Sequence, residues 1–353
     1  MLIVSHTEAH ATGMCALAKA GVPDSHARTQ MDLLIEAELC DRPSHGLLRL
    51  PRIIARIGNG VADPMTTGVA EWRSAAFLRV DGRAGLGPVV AGAALEAVRI
   101  RARETGIAVA AIANNNHLGM LAWYVERVAQ GGQTAIALSI SEALVHPWGG
   151  RRAMLGTNPI AIGVPALPHP FVLDMATSIV SMGKIYDHAH RGEPIPDNWA
   201  LDATGERTTD PNAAKLGALA PFGGAKGYAL GLALEVLVTS LTGTALGTEV
   251  TGTLDSDRPC NKGDVFVVID PISGAVTASI SGYLDAIRAC PSSRPGSPVI
   301  VPGDGSRQRR AERMAAGIPV ADEVWREICA LTQASEAAPL SQYAGDGAAR
   351  RLV

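Results

Sequence analysis

Aromatic side chains are scarce in this 353-residue chain, with Phe, Trp and Tyr together at 4%. Large rings cannot fill such a core, so the abundant Ala and Gly must pack closely, as in many α/β enzymes. Charge of one sign is also lacking: Lys and Arg number 31 against 34 Asp and Glu, for a net charge of -3. That leaves no electrostatic footprint for nucleic acid or an anionic membrane surface. Cysteine is confined to positions 15, 40, 260, 290 and 329, with no C-x-x-C pair. This spacing excludes a disulfide framework and fits free thiols in a reducing cytoplasm. The opening MLIVSHTEAHA has neither a basic start nor an apolar run, so no signal peptide is expected. One stretch, GYALGLALEVLVTSLTGTALG at 227–247, approaches the length of a membrane span. Glu235 at its centre is costly in lipid, and the stretch reads instead as a buried helix of a soluble core.

What is present is 47% apolar residues and 18% charged ones, enough for a sizeable core. Ser5 and Glu8 form a capping box that opens a first helix, and Asp24 caps a second. Apolar residues continue at helical spacing to Gly58, which makes residues 1–70 a helical segment. Strands and helices then alternate through 71–300: strands are expected at 75–82, 107–115, 134–141, 171–177, 265–270 and 297–305. Helices are expected at 89–106, 117–132, from 226 and at 281–290. Two closing helices split by GIPV occupy 301–332, and 333–353 reads as a loose tail. Alternation of this kind predicts an α/β (α+β) fold.

Several motifs carry polar chemistry. In DRPSHGLLRLPR, 41–52, a Ser, a His and arginines gather where a helix ends. For Arg42 and Arg52 a solvated or salt-bridged surface is the favoured reading. DGRAGLGPVVAGAA, 81–94, sits where a dinucleotide fingerprint would, but its glycine spacing fails and it reads as a turn feeding a helix. GGAKGY, 223–228, lacks the P-loop frame. His188 and His190 form an H-x-H pair, without H-E-x-x-H or any Cys/His cluster of zinc spacing, so no metal site is expected. NNNHLGM, 114–120, places three Asn and a His where a strand ends and a helix is expected, a suitable place for an anion. LGTNPIAIGVPA, 155–166, and VLDMATS, 172–178, have the same character. Together these loops suggest one site for a ligand bearing phosphates or carboxylates.

SHGLLRLPR, NNNHLGM, LGTNPIAIGVP, VLDMATS and PFGGAKGYALGLALE follow one another across most of the chain. As a set they resemble the malate/L-lactate/ureidoglycolate dehydrogenase family, also called type 2 malate/lactate dehydrogenases. The resemblance implies NAD or NADP bound by a non-Rossmann mixed-sheet domain, with a helical N-terminal segment. It also implies a cytoplasmic homodimer whose active site lies near the interface, and a small-molecule carboxylate substrate. Carried onto this sequence, His45 is the proton donor, Ser44 its hydrogen-bonding neighbour, and Arg49 the substrate-carboxylate ligand. His117, Leu118, Gly119, Met120 and Leu121 line the cofactor, with His117 close to substrate and a further catalytic candidate. Thr157 and Asn158 face substrate or nicotinamide, and Asp174, Met175, Ala176 and Thr177 border the nicotinamide and its ribose. Gly224 and Lys226, with Pro302, Gly303, Asp304, Arg307 and Arg309, hold the rest of the dinucleotide. Asp187 is the nearest candidate for an acidic relay partner of Ser44 and His45. The loop PGDGSRQRR, 302–310, carries Asp304 where relatives usually have Glu. Its arginines either favour a 2′-phosphate or form a solvated helix face.

The function implied is hydride transfer between NAD(P) and a small 2-hydroxy or 2-oxo acid. A reductase of cyclic imino acids is the alternative within the family. Outside it stand a metal-assisted hydrolase using His45, His117, His146 and the H-x-H pair, and a non-catalytic binding protein.

Overall fold

In a computed structural model, residues 1–271, 275–294 and 296–333 are described. The tail expected from 333 onward lies, beyond Gln333, outside the described residues.

The chain opens with β1 (Leu2–Val4), α1 (His6–Lys19) and α2 (Asp24–Leu39). The capping box is half realised: the Ser5 hydroxyl accepts from the Glu8 N–H at 3.1 Å. Two 3-10 turns, Pro43–His45 and Leu47–Arg49, lead into α3 (Leu50–Gly58). The α/β part follows with β2 (Val69–Ser74), β3 (Phe77–Asp81), α4 (Gly87–Thr105), β4 (Ile107–Ala113), α5 (Ala122–Gln130) and β5 (Thr134–Ser139). Next come β6 (Ile160–Val164), β7 (Phe171–Met175), α6 (Met182–Arg191), β8 (Ala200–Leu201), α7 (Pro211–Ala214), β9 (Ala218–Leu219) and α8 (Ala225–Thr242). The chain closes with β10 (Gly263–Ile269), α9 (Ala275–Arg288), α10 (Asp304–Ala316), β11 (Ile318–Val320) and α11 (Asp322–Leu331).

Seven strands form one mixed sheet in the order β2-β3-β4-β10-β5-β6-β7. Only β3 and β4 run parallel, and α4 makes the crossover between them. The shortage of aromatics is met by close complementarity at the centre of the sheet. Phe266 on β10 lies opposite Ala110 on β4 and Ala137 on β5, whose small side chains leave room for its ring. The Tyr124 ring of α5 stands 5.3 Å from that of Phe266, and its buried hydroxyl donates to the Leu118 carbonyl at 2.7 Å. Helices α4 and α5 share the main core with the N-terminal helices and α11. Leu234 and Val238 of α8 pack with Val265 and Leu138 from the strands, in a separate core.

Four expectations need correction. GIPV does not merely split two helices: Ile318–Val320 pairs antiparallel with Leu2–Val4, tying the two ends of the described chain together. Residues 297–301 form no strand, and Pro298 and Pro302 each remove a ladder donor there. The helix expected from 117 begins at Ala122, because Gly119 takes φ 75° and breaks the helical path. Finally, α8 is not buried all round. Gly227, Gly231, Leu234, Glu235 and Val238 face inward, whereas Val236 and Leu237 are 54% and 46% exposed.

Helix α5 rests on β6 where Gly163 has no side chain. A Cβ there would stand 2.3 Å from the Val125 carbonyl oxygen. Gly163→Ala is expected to destabilise the fold by about 1–3 kcal/mol through overpacking. Urea denaturation checks this, and an unchanged midpoint contradicts it.

Candidate active site

The site begins with a buried carboxylate. Glu38, in the last turn of α2, accepts the Leu47 N–H at 2.8 Å and so pins the junction between the two 3-10 turns. Gly46 is required beside it, since a Cβ would fall 2.3 Å from Glu38 Oε1. Burial pushes the Glu38 carboxyl up to about 7, against the opposing pull of the Leu47 N–H and Arg313.

This pinned stretch presents His45 and Arg49. Arg49 is buried, and its guanidinium donates to the Ser44 carbonyl at 2.7 Å and the Thr253 carbonyl at 3.4 Å. Burial, and then repulsion from Arg52, push Arg49 down to about 9. The ring of His45 stacks on that of His117, with centroids 5.3 Å apart and planes 10° from parallel. Burial, then Arg49 and Arg42, push His45 down to about 3. Burial, then Arg49 and His45, hold His117 well below the usual histidine range. Both rings are therefore neutral at neutral pH. His117 Nδ1 faces the Gly119 N–H at 3.2 Å and must accept there, which leaves its proton on Nε2. His45 Nδ1 is enclosed without a partner.

Arg49, Arg52 and Arg56 line one cavity together with Asn116, His117 and Thr253. Arg56 forms its floor, donating to Asn116 Oδ1 at 2.9 Å and to the Asp255 carbonyl at 3.0 Å. Thr253 is held by Glu142, whose carboxylate accepts the backbone N–H groups of Thr253 and Leu254 at 2.8 and 2.9 Å.

The three asparagines of NNNHLGM are structural, contrary to the anion-site reading. Asn114 takes φ 54° and donates to Asp81. Asn115 donates to Asp264, and Asn116 donates to the Ala84 and Gly85 carbonyls. The glycine turn at 81–94 serves the same segment: a Cβ on Gly87 would stand 2.1 Å from the His117 carbonyl. Leu118, Met120 and Leu121 bury their side chains in the main core, and Gly119 packs against Leu33. These side chains are not available to line a cofactor.

Other expected residues also have protein partners. Asn158 is fully buried and donates to Glu235 at 2.6 Å and to the Gly231 carbonyl, so its amide does not face substrate. Thr157 meets Ser141, and the Thr177 hydroxyl donates to the Thr157 carbonyl. Asp174 accepts the Ala122 N–H at 2.8 Å, which starts α5 there. Asp187 is exposed and paired with Arg191 at 2.9 Å, one turn along α6, so it makes no relay to His45. The Ser44 hydroxyl makes no hydrogen bond to His45 among the described residues; its carbonyl serves Arg49 instead. Asp304 binds Arg288 and Arg307, which hold its carboxyl well below the usual range. Gly303 is shaped by φ 96°, and Pro302 is exposed beside it. Arg309 pairs with Asp41 and Arg310 with Glu36, which docks α10 on α2 and the turn after it. His146 and His188 each bond a backbone carbonyl, and among the described residues no three His, Cys, Asp or Glu gather as metal ligands.

Two motifs do converge. The end of VLDMATS runs beside PFGGAK: Phe222 N–H donates to the Thr177 carbonyl at 3.1 Å and Ile179 N–H to the Ala220 carbonyl at 2.9 Å. Met175 and Ala176 lie half-buried at this junction. Gly223 and Gly224, at φ 58° and 63°, then open the 18-residue helix α8 without a side-chain cap, with Lys226 exposed in its first turn.

A family model described as malate/L-lactate dehydrogenase matches residues 4–329. The chain belongs to that family. A structure of a dehydrogenase from Sinorhizobium meliloti superposes with a TM-score of 0.91 at 50% identity, covering 94% of this chain and 98% of that one. The L-sulfolactate dehydrogenase of Methanothermobacter thermautotrophicus is 34% identical over 323 residues, 90% of this chain and 92% of its own. The Delta(1)-pyrroline-2-carboxylate reductase of Ancylobacter novellus is 33% identical over 333 residues, 93% of this chain and 97% of its own. This malate/L-lactate dehydrogenase family member is an oxidoreductase acting on small acids. No helix among its described residues is long and apolar enough to cross a membrane.

The sequence alone did not mark Glu38 or Glu142, read Glu235 only as the carboxylate of a buried helix, and placed Arg52 on the surface, whereas it lines the cavity. The one available signal was a carboxylate inside an apolar run, as at Glu235, which accepts from Gly156, Asn158 and Gly247.

The Glu38 carboxyl gives a pH test. Unfolded, it titrates near 4.5, and folded at about 7. Between these values the folded chain keeps a proton that the unfolded chain releases, so this group's contribution to stability falls as pH rises through the window. Glu38→Gln keeps an acceptor for Leu47. It is expected to equal wild type in thermal midpoint at about pH 5 and exceed it at about pH 8. A difference constant across that range contradicts the assignment.

Proposed function

We propose that this chain transfers a hydride between NAD or NADP and C2 of a small 2-hydroxy or 2-oxo carboxylic acid. The observation that carries the reading is the buried Arg49 lining one cavity with His117, on whose ring the neutral His45 stacks.

The residues fit a nicotinamide nucleotide. Gly223 and Gly224 leave the start of α8 open to an anion, and the nearby Ser178 hydroxyl is buried without a partner. The nucleotide is held there without a Rossmann glycine fingerprint, by the junction of Thr177 and Ser178 with the Gly224–Lys226 turn. When bound, the nicotinamide supplies or accepts the hydride.

The protein handles the carboxylate and the proton. Arg49 holds the substrate carboxylate, and a charged hydrogen bond of this kind contributes about 1.5–3 kcal/mol. In oxidation, His45 takes the hydroxyl proton; burial keeps its ring in the neutral form that can accept one. In reduction it gives that proton to the developing alkoxide. Substrate charge on Arg49 offsets the repulsion that, after burial, lowers the His45 pKa, and so eases its protonation for this step. His117, as an Nε2–H donor, orients the substrate oxygen.

The sulfolactate dehydrogenase relative favours the 2-hydroxy acid, and the pyrroline-2-carboxylate reductase relative keeps a cyclic imine as the second reading. In that case His45 serves the ring nitrogen. A second copy of the chain is the proposed cover for the apolar α8 face of Leu230, Val236 and Leu237, giving a homodimer.

Oxidation of NADH and NADPH across a panel of 2-oxo acids and pyrroline-2-carboxylate tests the activity; no turnover and no nicotinamide binding overturns it. His45→Ala is expected to lower kcat at least about 100-fold while cofactor affinity is kept. Unchanged turnover would remove His45 from the proton step. Arg49→Ala is expected to act chiefly on KM for the acid, and a fall in cofactor affinity alone would make it a phosphate ligand instead.

A further inference from the structure

Behind His117 lies a buried charge pair that the proposed reaction does not use. Lys262 immediately precedes β10 and Asp264 lies within it, and their side chains are 2% and 0% exposed. The Lys262 ammonium donates to Asp264 Oδ1. The same oxygen accepts the Ser139 hydroxyl at 2.6 Å, from the last residue of β5. Asp264 Oδ2 accepts the Asn115 amide at 3.4 Å, from the segment that leaves β4. Asn115 is fully buried, and its own side-chain oxygen is enclosed without a partner. Asp264 is therefore the hydrogen-bond partner of the Asn115 side chain among the described residues.

A buried pair of this kind is a poor source of stability. Removing both charges from water costs about as much as their attraction returns, and apolar residues of the same volume often serve as well. The layout around Asp264 gives it another role. Asn115 lies two residues before His117. Asn116, between them, is fixed on its own side by the Ala84 and Gly85 carbonyls. The backbone entering His117 is thus tied at two points, to the glycine turn through Asn116 and to the sheet through Asn115. Just beyond, the Gly119 N–H meets His117 Nδ1 and fixes the ring's tautomer. After burial, Arg49 and His45, the Lys262 charge also acts to keep that ring neutral, and Asp264 holds Lys262 in place.

We infer that Asp264 is a positioning residue for His117: through Asn115 it fixes the backbone that aims the imidazole at the substrate cavity. This rests on the role given to His117 in the proposed reaction.

Two variants cut the link differently. Asn115→Ala removes it and leaves the ion pair intact. Lys262→Met with Asp264→Leu removes the pair and replaces it with apolar residues of similar volume. Each is made alone and on a His117→Ala background. Turnover is measured with NADH or NADPH and the best 2-oxo acid of the panel above, and the imidazole nitrogens are followed by 15N NMR. Both variants are expected to lower kcat about 10–100-fold, the scale of a misplacement of about 1 Å, with KM for the nucleotide within about 3-fold. On the His117→Ala background each should cost less than about 2-fold, because the effect runs through the ring. The double variant should keep a thermal midpoint near wild type while kcat stays low. In both variants the His117 15N signals should move from one tautomer toward a mixture. Full losses that persist without His117, or wild-type kcat in either variant, overturn the inference. Asn115→Ala carries the test should the double variant not fold. If no 2-oxo acid turns over, the 15N signals still decide: unchanged His117 signals overturn the positioning role, and a tautomer shift upholds it while the dehydrogenase reading falls.

Discussion

The site depends on positive charge held in a place where water cannot screen it. Arg49 and Arg56 are buried, and Arg52 lines the same cavity beside them. In such surroundings a cation demands either a partner or a ligand. The surrounding architecture keeps this arrangement from collapsing. Glu38 anchors the turn below His45, the Ser44 and Thr253 carbonyls aim Arg49, and Asn116 braces Arg56. Burial first, and this charge after it, keep His45 and His117 unprotonated.

The sheet supplies rigidity behind this cavity. β4 ends at Ala113, just before Asn114, Asn115 and Asn116, and Asn115 ties that end to Asp264 on β10. Asp264 is buried with Lys262 and also accepts from Ser139, so three strands meet in one polar knot behind His117. On the opposite side, Glu235 reaches from α8 to Gly156 and Asn158. Sites built on strands and capped helices hold their geometry better than sites on free loops. The small residues of the core allow these close approaches.

Much of this was legible in the sequence, because local signals sufficed. Ser5 starts α1, and the apolar runs at 107–113 and 134–139 are strands of the sheet. His45 stacks on His117, and Arg49 lines one cavity with His117, so motifs far apart in the chain meet here. What escaped was decided by partners far apart in sequence. Ile318–Val320 becomes a strand only because Leu2–Val4 lies beside it. The Gly119 turn delays α5, and Asp174, 52 residues along the chain, accepts the Ala122 N–H where the helix starts. Asn158 looks like a ligand residue until Glu235, 77 residues away, claims its amide. Arg52 resembled a surface cation because nothing local reveals that its face of the helix turns toward His117.

The most direct measurement is an NMR titration of the imidazole rings of His45 and His117 in the ligand-free protein, from about pH 5 to pH 8. Both rings are predicted to stay neutral throughout, since His45 is pushed down to about 3 and His117 well below its usual range. Protonation of either ring near the ordinary histidine value of about 6.5 would contradict the account.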